Sequence, residues 1–231
     1  CSSDLYGLPM AVSKLVSARF AQKQYKNVAQ IFRCALTTAI CTGGIAALIL
    51  FFGAGLIEKV FYKGVAGIAI PLRILAPTIF IVAILGVMRG FYQGQETMIP
   101  TAISQLAEQV VNAIVSIVAG YILVNAFKNS ANQSAYGAAG GTLGTAIGAL
   151  TALVFLVILY MIYRPTFSKM VKHDTVSKRK SDAEVYQLIA ATMIPIILGQ
   201  TFYQISAVID DMMFSNMMVG RDISKSIAND L

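Results

Sequence analysis

Long apolar stretches alternate with short polar or basic segments along this chain, and five of the stretches are long enough to cross a membrane. They cover residues 35–57, 68–88, 98–124, 136–163 and 185–209. A helix needs about 20 residues to cross the ~30 Å hydrocarbon core of a bilayer. Only helices or closed barrels satisfy their backbone hydrogen bonds there. The pattern therefore predicts an all-α integral membrane protein, a polytopic helix bundle.

A further apolar stretch, residues 5–16, is too short to cross the bilayer alone. It runs directly into basic residues, so we interpret it as the end of a span whose beginning precedes the sequence. The chain starts without an initiator Met or a signal peptide. These features indicate an internal piece of a longer protein.

Basic residues are distributed unequally over the connections between the predicted spans. Alternate connections together carry twelve basic residues on one side of the membrane and three on the other. The richer set is Lys14, Arg19, Lys23, Lys26 and Arg33 in the first loop, Arg89 in a short turn, and Arg164, Lys169, Lys172, Lys178, Arg179 and Lys180 in residues 164–182. Positive-inside bias makes this side cytoplasmic, and anionic lipids are expected partners of residues 164–182 there.

Composition supports a membrane protein and excludes several function classes. Charged residues make up 13% of the chain, against ~25% in soluble domains. The net charge of +7 is explained by the connections, so no nucleic-acid partner is expected. Cys34 and Cys41 are interpreted as small buried residues of one helix, and His173 as a solvated loop residue. Catalytic pairings and metal-ligand motifs are absent from the sequence, so we predict no enzyme, cofactor or metal site.

Polar side chains mark one face of the span at residues 98–124. Spacings of three and four place Thr101, Gln105, Glu108 and Asn112 together. A carboxylate near the bilayer centre costs ~2.5–3.5 kcal/mol on insertion scales, and such a group normally faces a wet cavity or a partner. Glu108 is therefore expected either to line an aqueous cavity or to have a structural role, bonded to a neighbouring helix or paired with Arg73.

The last span repeats this pattern, which suggests an aqueous interior shared by two helices. Its polar face consists of Gln200, Tyr203, Gln204, Ala207 and Asp211, with Asp210 beside it. Alternatively, the two aspartates lie in the outer interface. Arg73 either extends to the headgroups or presents a cation to a phosphate. The predicted substrate or ion pathway consists of Glu108, Gln105, Asn112, Thr101, Arg73, Gln204, Asp210 and Asp211.

Small residues indicate where helices approach each other closely. Overlapping small-xxx-small pairs at the start of one span predict a packing surface, formed by Gly137, Gly140, Gly141, Gly144 and Gly148. Gly90 and Gly94 lie within residues 89–95, and we interpret them as part of a tight turn between two spans.

Several segments resemble a known family of membrane proteins. Residues 88–95 (MRGFYQGQ), then Pro100-Thr101-Ala102, Ser104-Gln105 and Glu108-Gln109, resemble the loop and fifth helix of the stage V sporulation protein B and polysaccharide-export group. Residues 7–16 (GLPMAVSKLV) resemble the end of its second helix, and residues 137–145 (GAAGGTLGT) the opening of its sixth. One departure is Asn112, at a point where many relatives carry a basic residue.

The resemblance implies membership of the multidrug, oligosaccharidyl-lipid and polysaccharide exporter superfamily. The chain would then be about half of a two-bundle transporter of roughly fourteen helices. Residues 1–163 would form most of the N-terminal bundle without its first helix, residues 164–182 a basic cytoplasmic linker, and residues 183–231 the first helix of the second bundle with the following loop.

The implied function is that of a flippase in the bacterial plasma membrane. It would export undecaprenyl-pyrophosphate-linked glycan, such as lipid II or a polysaccharide repeat unit, by alternating access, with the remainder of its own chain as partner. Two alternatives stay open. A cation-coupled multidrug exporter would have a cavity dominated by carboxylates and aromatic residues, and a non-transporting scaffold would need no wet cavity.

Overall fold

The structure is a computed structural model that describes residues 7–61, 69–128, 133–177 and 181–220, with side chains described except at 57–61, 134, 200, 203–204 and 207–220. Its helices are α1 (Gly7–Phe20), α2 (Tyr25–Phe61), α3 (Ala69–Gly94), α4 (Ile99–Ala126), α5 (Gln133–His173) and α6 (Asp182–Gly220). Each of α2 to α6 contains a segment long and apolar enough to cross a membrane, which makes five such segments among the described residues. The predicted all-α, multi-pass architecture is confirmed.

Three connections lie together at one end of the bundle, which we call the basic end. They are the α1–α2 turn (residues 21–24), the α3–α4 turn (95–98) and the described part of the α5–α6 connection (174–177 and 181). At 37 and 41 residues, α2 and α5 exceed what a bilayer requires. Their additional turns at this end carry Lys26, Arg33, Arg164, Lys169 and Lys172. The prediction that these residues lie in loops was wrong, as it was for Lys14 and Arg19 on α1.

Aromatic side chains form the core at the basic end. Phe91 of α3 is fully buried, and its ring centroid lies 4.4 Å from that of Phe32 on α2 and 5.5 Å from that of Phe167 on α5. Such tilted and edge-on pairs add about 0.5–1.5 kcal/mol beyond the area they bury. Towards the opposite end the helices expose apolar side chains such as Leu48 and Phe52, as lipid-facing surfaces do.

Glycines on α3 allow α1 to approach its backbone. A Cβ atom at Gly90 would lie 2.6 Å from the carbonyl oxygen of Pro9, and one at Gly94 would lie 2.6 Å from Val16 Cβ. The interpretation of Gly90 and Gly94 as a tight turn was therefore wrong. The helix α3 continues to Gly94, and the chain turns afterwards, where Glu96 adopts a positive φ of 63°.

Asp174 connects the α5–α6 connection to the start of α2. The residue is 5% exposed. Its carboxylate accepts hydrogen bonds of 2.9 Å from the backbone N–H groups of Lys26, Val176 and Ser177, together with one from the Ser177 hydroxyl. Burial opposes ionisation of this group, but the four hydrogen bonds together outweigh it and hold the Asp174 pKa well below its usual range. The carboxylate thus fixes two connections of the basic end to each other.

Replacing Gly90 with Ala should destabilise the bundle because the new methyl group collides with the α1 backbone. We expect the free energy of unfolding to fall by about 1–3 kcal/mol, seen as a lower melting temperature in mild detergent. Gly53 on α2 is the matched control, since its Cβ would meet nothing within 4 Å. Gly53→Ala should be neutral or stabilise by roughly 0.5–1 kcal/mol. Equal melting temperatures for the two variants would contradict the close contact between α1 and α3.

Replacing Asp174 with Asn should lower the melting temperature at neutral pH, by the equivalent of about 1–3 kcal/mol of unfolding free energy. Because the folded-state pKa is depressed, the stabilisation by the carboxylate is complete above the unfolded pKa of ~3.9. It declines as the pH falls below that value towards the folded pKa.

The difference in melting temperature between wild type and Asp174→Asn should therefore stay constant from neutral pH down to about pH 5 and shrink below about pH 4. Glu96→Gln removes an exposed carboxylate from the α3–α4 turn at the same end and should leave the melting temperature unchanged. A difference that grew on acidification would show that ionised Asp174 is not the stabilising form.

Candidate functional site

An ion pair between α3 and α4 is the centre of the candidate site. Arg89 Nη2 donates to Glu108 Oε2 at 2.6 Å, and Arg89 Nε donates to Ser104 Oγ at 3.2 Å. Ser104 is fully buried, and its hydroxyl donates to the Thr101 carbonyl oxygen at 2.7 Å. The side chains of Arg89 and Glu108 are 16% and 17% exposed. The network therefore lies within the packed part of two membrane-spanning helices.

The geometry of the pair follows from the hairpin that joins the two helices. Arg89 lies five residues before the end of α3, and Glu108 lies nine residues after the start of α4. At about 1.5 Å per residue, the carboxylate is roughly 14 Å along its helix, and the long Arg side chain extends to it. Charge-assisted hydrogen bonds of this kind compensate part of the desolvation of both groups.

Glu108 pairs with Arg89 and not with Arg73, the residue that the sequence analysis named as a possible partner. Pairing with Arg73 was wrong, because Arg73 is exposed near the start of α3 and lies about 24 Å along the helix from Arg89. The true partner, Arg89, was missed because it was assigned to a turn. Ser104 was missed as a network member, although its three- and four-residue spacings to Thr101 and Glu108 could have identified it.

The two edges of the polar face on α4 have different environments. Ser104 and Thr101 are buried on one edge, where the Thr101 hydroxyl oxygen has no hydrogen-bond partner among the described residues. On the other edge, Gln105 and Gln109 are exposed. Buried or lipid-exposed amides need hydrogen-bond partners. The exposed edge therefore requires water, a ligand or another protein segment next to it.

Asn112 faces α5 at a site of close helix packing. Its Oδ1 accepts a hydrogen bond of 2.9 Å from Ser116 Oγ. A Cβ atom at Gly148 would lie 2.8 Å from the carbonyl oxygen of Glu108 and 3.2 Å from Asn112 Cβ.

The other glycines of the predicted packing surface can be placed in the same way. A Cβ atom at Gly140 would lie 2.5 Å from Gly120 Cα, and one at Gly144 would collide with the Ser116 side chain. The packing surface is thus confirmed for Gly137, Gly140, Gly144 and Gly148, whereas Gly141 has no atoms within 4 Å of such a Cβ.

The remaining predicted pathway residues lie on α6. Gln204, Asp210 and Asp211 belong to its helical backbone, but their side chains fall outside the described ones. The helix α6 packs against α1 and α2, whereas α4 packs mainly against α5. The shared aqueous interior stays a prediction.

Metal and thiol chemistry can be assessed for the described residues. Among them, no group of three or more His, Cys, Asp or Glu side chains is arranged to hold a metal ion. Cys34 is buried, as predicted, whereas the prediction was wrong for Cys41, which is exposed. Both thiols are free.

Comparison with known proteins gives a family match and several relatives. Residues 4–121 match the MatE family. The chain is 29% identical over 128 residues to the lipid II flippase MurJ of Bacillus subtilis (strain 168), covering 52% of this chain and 24% of the flippase. It is 36% identical over 115 residues to stage V sporulation protein B of the same organism, covering 49% of this chain and 21% of that protein.

A third relative is the uncharacterised membrane protein YabM of Bacillus subtilis (strain 168), 27% identical over 118 residues, or 51% of this chain and 21% of that protein. The aligned segments span a quarter or less of these relatives, which are much longer than this chain. No solved structure matches it.

Removing one partner of the ion pair should cost more than removing both. Glu108→Gln and Arg89→Gln should each lower the free energy of unfolding by about 3 kcal/mol, because each leaves a charge without its counter-ion in a poorly hydrated site. The double variant should recover more than half of the summed loss. Melting temperatures in mild detergent measure all three, with Gln109→Leu as an exposed control that leaves stability unchanged. Additive losses would contradict direct coupling of the two charges.

Proposed function

Because this chain belongs to the MatE family of membrane transporters, we propose that it is part of a bacterial flippase for lipid-linked glycan. The family is part of the multidrug, oligosaccharidyl-lipid and polysaccharide exporter superfamily. The cargo would be an undecaprenyl-pyrophosphate-linked sugar unit, moved by alternating access. One relative supports this choice, since it is named a lipid II flippase. Members of the family are transporters rather than enzymes.

The Arg89–Glu108 pair is the observation that carries the proposal. A cation-coupled multidrug exporter needs a carboxylate available to its substrate or its coupling ion. In α4 the carboxylate of Glu108 is bound by a guanidinium at 2.6 Å, so its charge is already compensated. The pair therefore favours a polar and pyrophosphate-bearing cargo over an amphiphilic cation.

The exposed amides of α4 supply the second requirement of such a transporter. A pyrophosphate-linked glycan carries many hydroxyl groups, which need hydrogen-bonding walls while the headgroup crosses the hydrocarbon layer. Gln105 and Gln109 are exposed one helical turn apart and offer both donors and acceptors. We propose that this edge of α4 faces the transport pathway and that the Arg89–Glu108 pair fixes its position.

Other parts of the proposed pathway lie further along the chain. Arg73 is exposed near the end of α3 that is distant from the basic end, where its guanidinium could bind a phosphate group. Gln204, Asp210 and Asp211 would contribute from α6. Thr101 and Asn112 would shape the wall, since the former is buried and the latter contacts α5. The remainder of the transporter would complete the cavity.

The proposal is tested by transport of lipid-linked glycan into liposomes by the full-length protein. Gln105→Leu should reduce the flipping rate by about tenfold, because it removes hydrogen bonds worth about 1.5 kcal/mol to the moving headgroup. Glu108→Gln should also reduce it, at a temperature where the variant remains folded. The control is Leu106→Ala, which shortens an adjacent exposed apolar side chain and should leave the rate unchanged.

Each alternative function gives a different result in this assay. Transport of an amphiphilic dye cation, without transport of glycan, would indicate a multidrug exporter. Movement of neither substrate by folded wild-type protein would indicate a scaffold. Full glycan transport by Gln105→Leu would remove Gln105 from the pathway.

A further inference from the structure

A cavity of about 430 Å³ lies at the basic end, between α2, the end of α5 and the start of α6. Its volume falls within the ~300–1,000 Å³ range of small-molecule pockets. The polar residues of its lining include Lys26, Gln30, Arg33, Asp182 and Tyr186. This cavity is separate from the Arg89–Glu108 network, and the proposed transport pathway makes no use of it.

The charges that line this cavity are unequal. Lys26 and Arg33 lie seven residues apart on one face of α2, and neither side chain forms an ion pair with a described residue. The only acidic lining residue is Asp182, whose carboxylate accepts a hydrogen bond from the Gln30 amide. Two cations and one carboxylate give the lining a net positive charge of about one. A net positive lining is suited to an anion, and a guanidinium is especially suited to phosphate.

The position of the cavity along the membrane identifies the source of that phosphate. Lys26 lies at the first turn of α2, and Arg33 lies about 10 Å further along the helix. The two cations therefore extend from the end of the bundle towards the apolar part of α2, where phospholipid headgroups meet the acyl chains. The half-exposed Tyr186 ring at the rim is typical of this interfacial depth.

We propose that this cavity binds the phosphate headgroup of an anionic phospholipid, held by Arg33 and Lys26. The bound headgroup would lie between α2, which belongs to the tightly packed core, and α6, whose start carries Asp182 and Tyr186. The single negative charge of the headgroup, together with the carboxylate of Asp182, would balance the two cations and stabilise the contact between these helices. This site is independent of the flippase proposal, because it concerns a lipid that remains bound.

Native mass spectrometry of the full-length protein, supplied with phosphatidylglycerol or phosphatidylcholine, tests the site. Wild type should retain phosphatidylglycerol in preference to phosphatidylcholine. Arg33→Gln and Lys26→Gln should each reduce retained phosphatidylglycerol about fivefold, since one basic residue near an anionic headgroup contributes about that factor in affinity. Arg33→Lys keeps the charge and should retain more lipid than Arg33→Gln.

The matched control is Arg164→Gln. Arg164 is an exposed arginine nine residues before the end of α5, and Arg33 lies eight residues after the start of α2. Both arginines are therefore at a similar distance from the basic end of their helix. Arg164 does not line the cavity, so its removal should leave retention unchanged. Melting temperatures in neutral detergent establish whether the variants are folded. If Arg33→Gln does not fold, the comparison of Arg33→Lys and Lys26→Gln with wild type tests lipid binding at the cavity.

Four outcomes would overturn the proposal. An equal loss of lipid in Arg164→Gln would assign the binding to diffuse surface charge, and equal retention of both lipids would remove the anion specificity. Displacement of the lipid by inorganic phosphate would identify a site for free phosphate. Selective displacement by undecaprenyl pyrophosphate would identify a cargo site instead of a phospholipid site.

Discussion

Close approach of helix backbones through glycine is the constraint on which the described bundle depends. In a bilayer the surrounding lipid is as apolar as the helix surfaces, so helices associate through packing and polar contacts. Gly90 and Gly94 bring α3 against α1, and Gly140 and Gly148 bring α5 against α4. Each of these contacts leaves no room for a Cβ atom.

The ion pair of the candidate site depends on these same contacts. Arg89 is next to Gly90, which meets the Pro9 carbonyl group, and Glu108 has its own carbonyl oxygen against Gly148. The two charges are therefore carried by backbones that are fixed from opposite sides. This geometry holds the 2.6 Å contact in a setting where an unpaired charge would be expensive, and it leaves Gln105 exposed on the adjacent edge of α4.

The basic end combines tight packing with a polar surface. The aromatic cluster around Phe91 and the hydrogen bonds of Asp174 fix α2, α3, α5 and the α5–α6 connection to one another. The cations of α2 and α5 lie on the helices that this packing holds together. Positive-inside bias predicts only that these basic residues share the cytoplasmic side. The structure places them on defined helix faces, and two of them, Lys26 and Arg33, line a cavity.

The sequence by itself determined the number and position of the spans, the small-residue surface of α5 and the family. Each of these depends on local composition or short periodicity, because the transfer of a segment into lipid depends on the residues it contains. The tertiary structure decided that Glu108 binds Arg89, that Gly90 and Gly94 are helix contacts, and that the basic segments of α2 and α5 are helical. These features depend on which distant backbones meet. Periodicity within one segment cannot specify a contact between residues 19 positions apart on two helices.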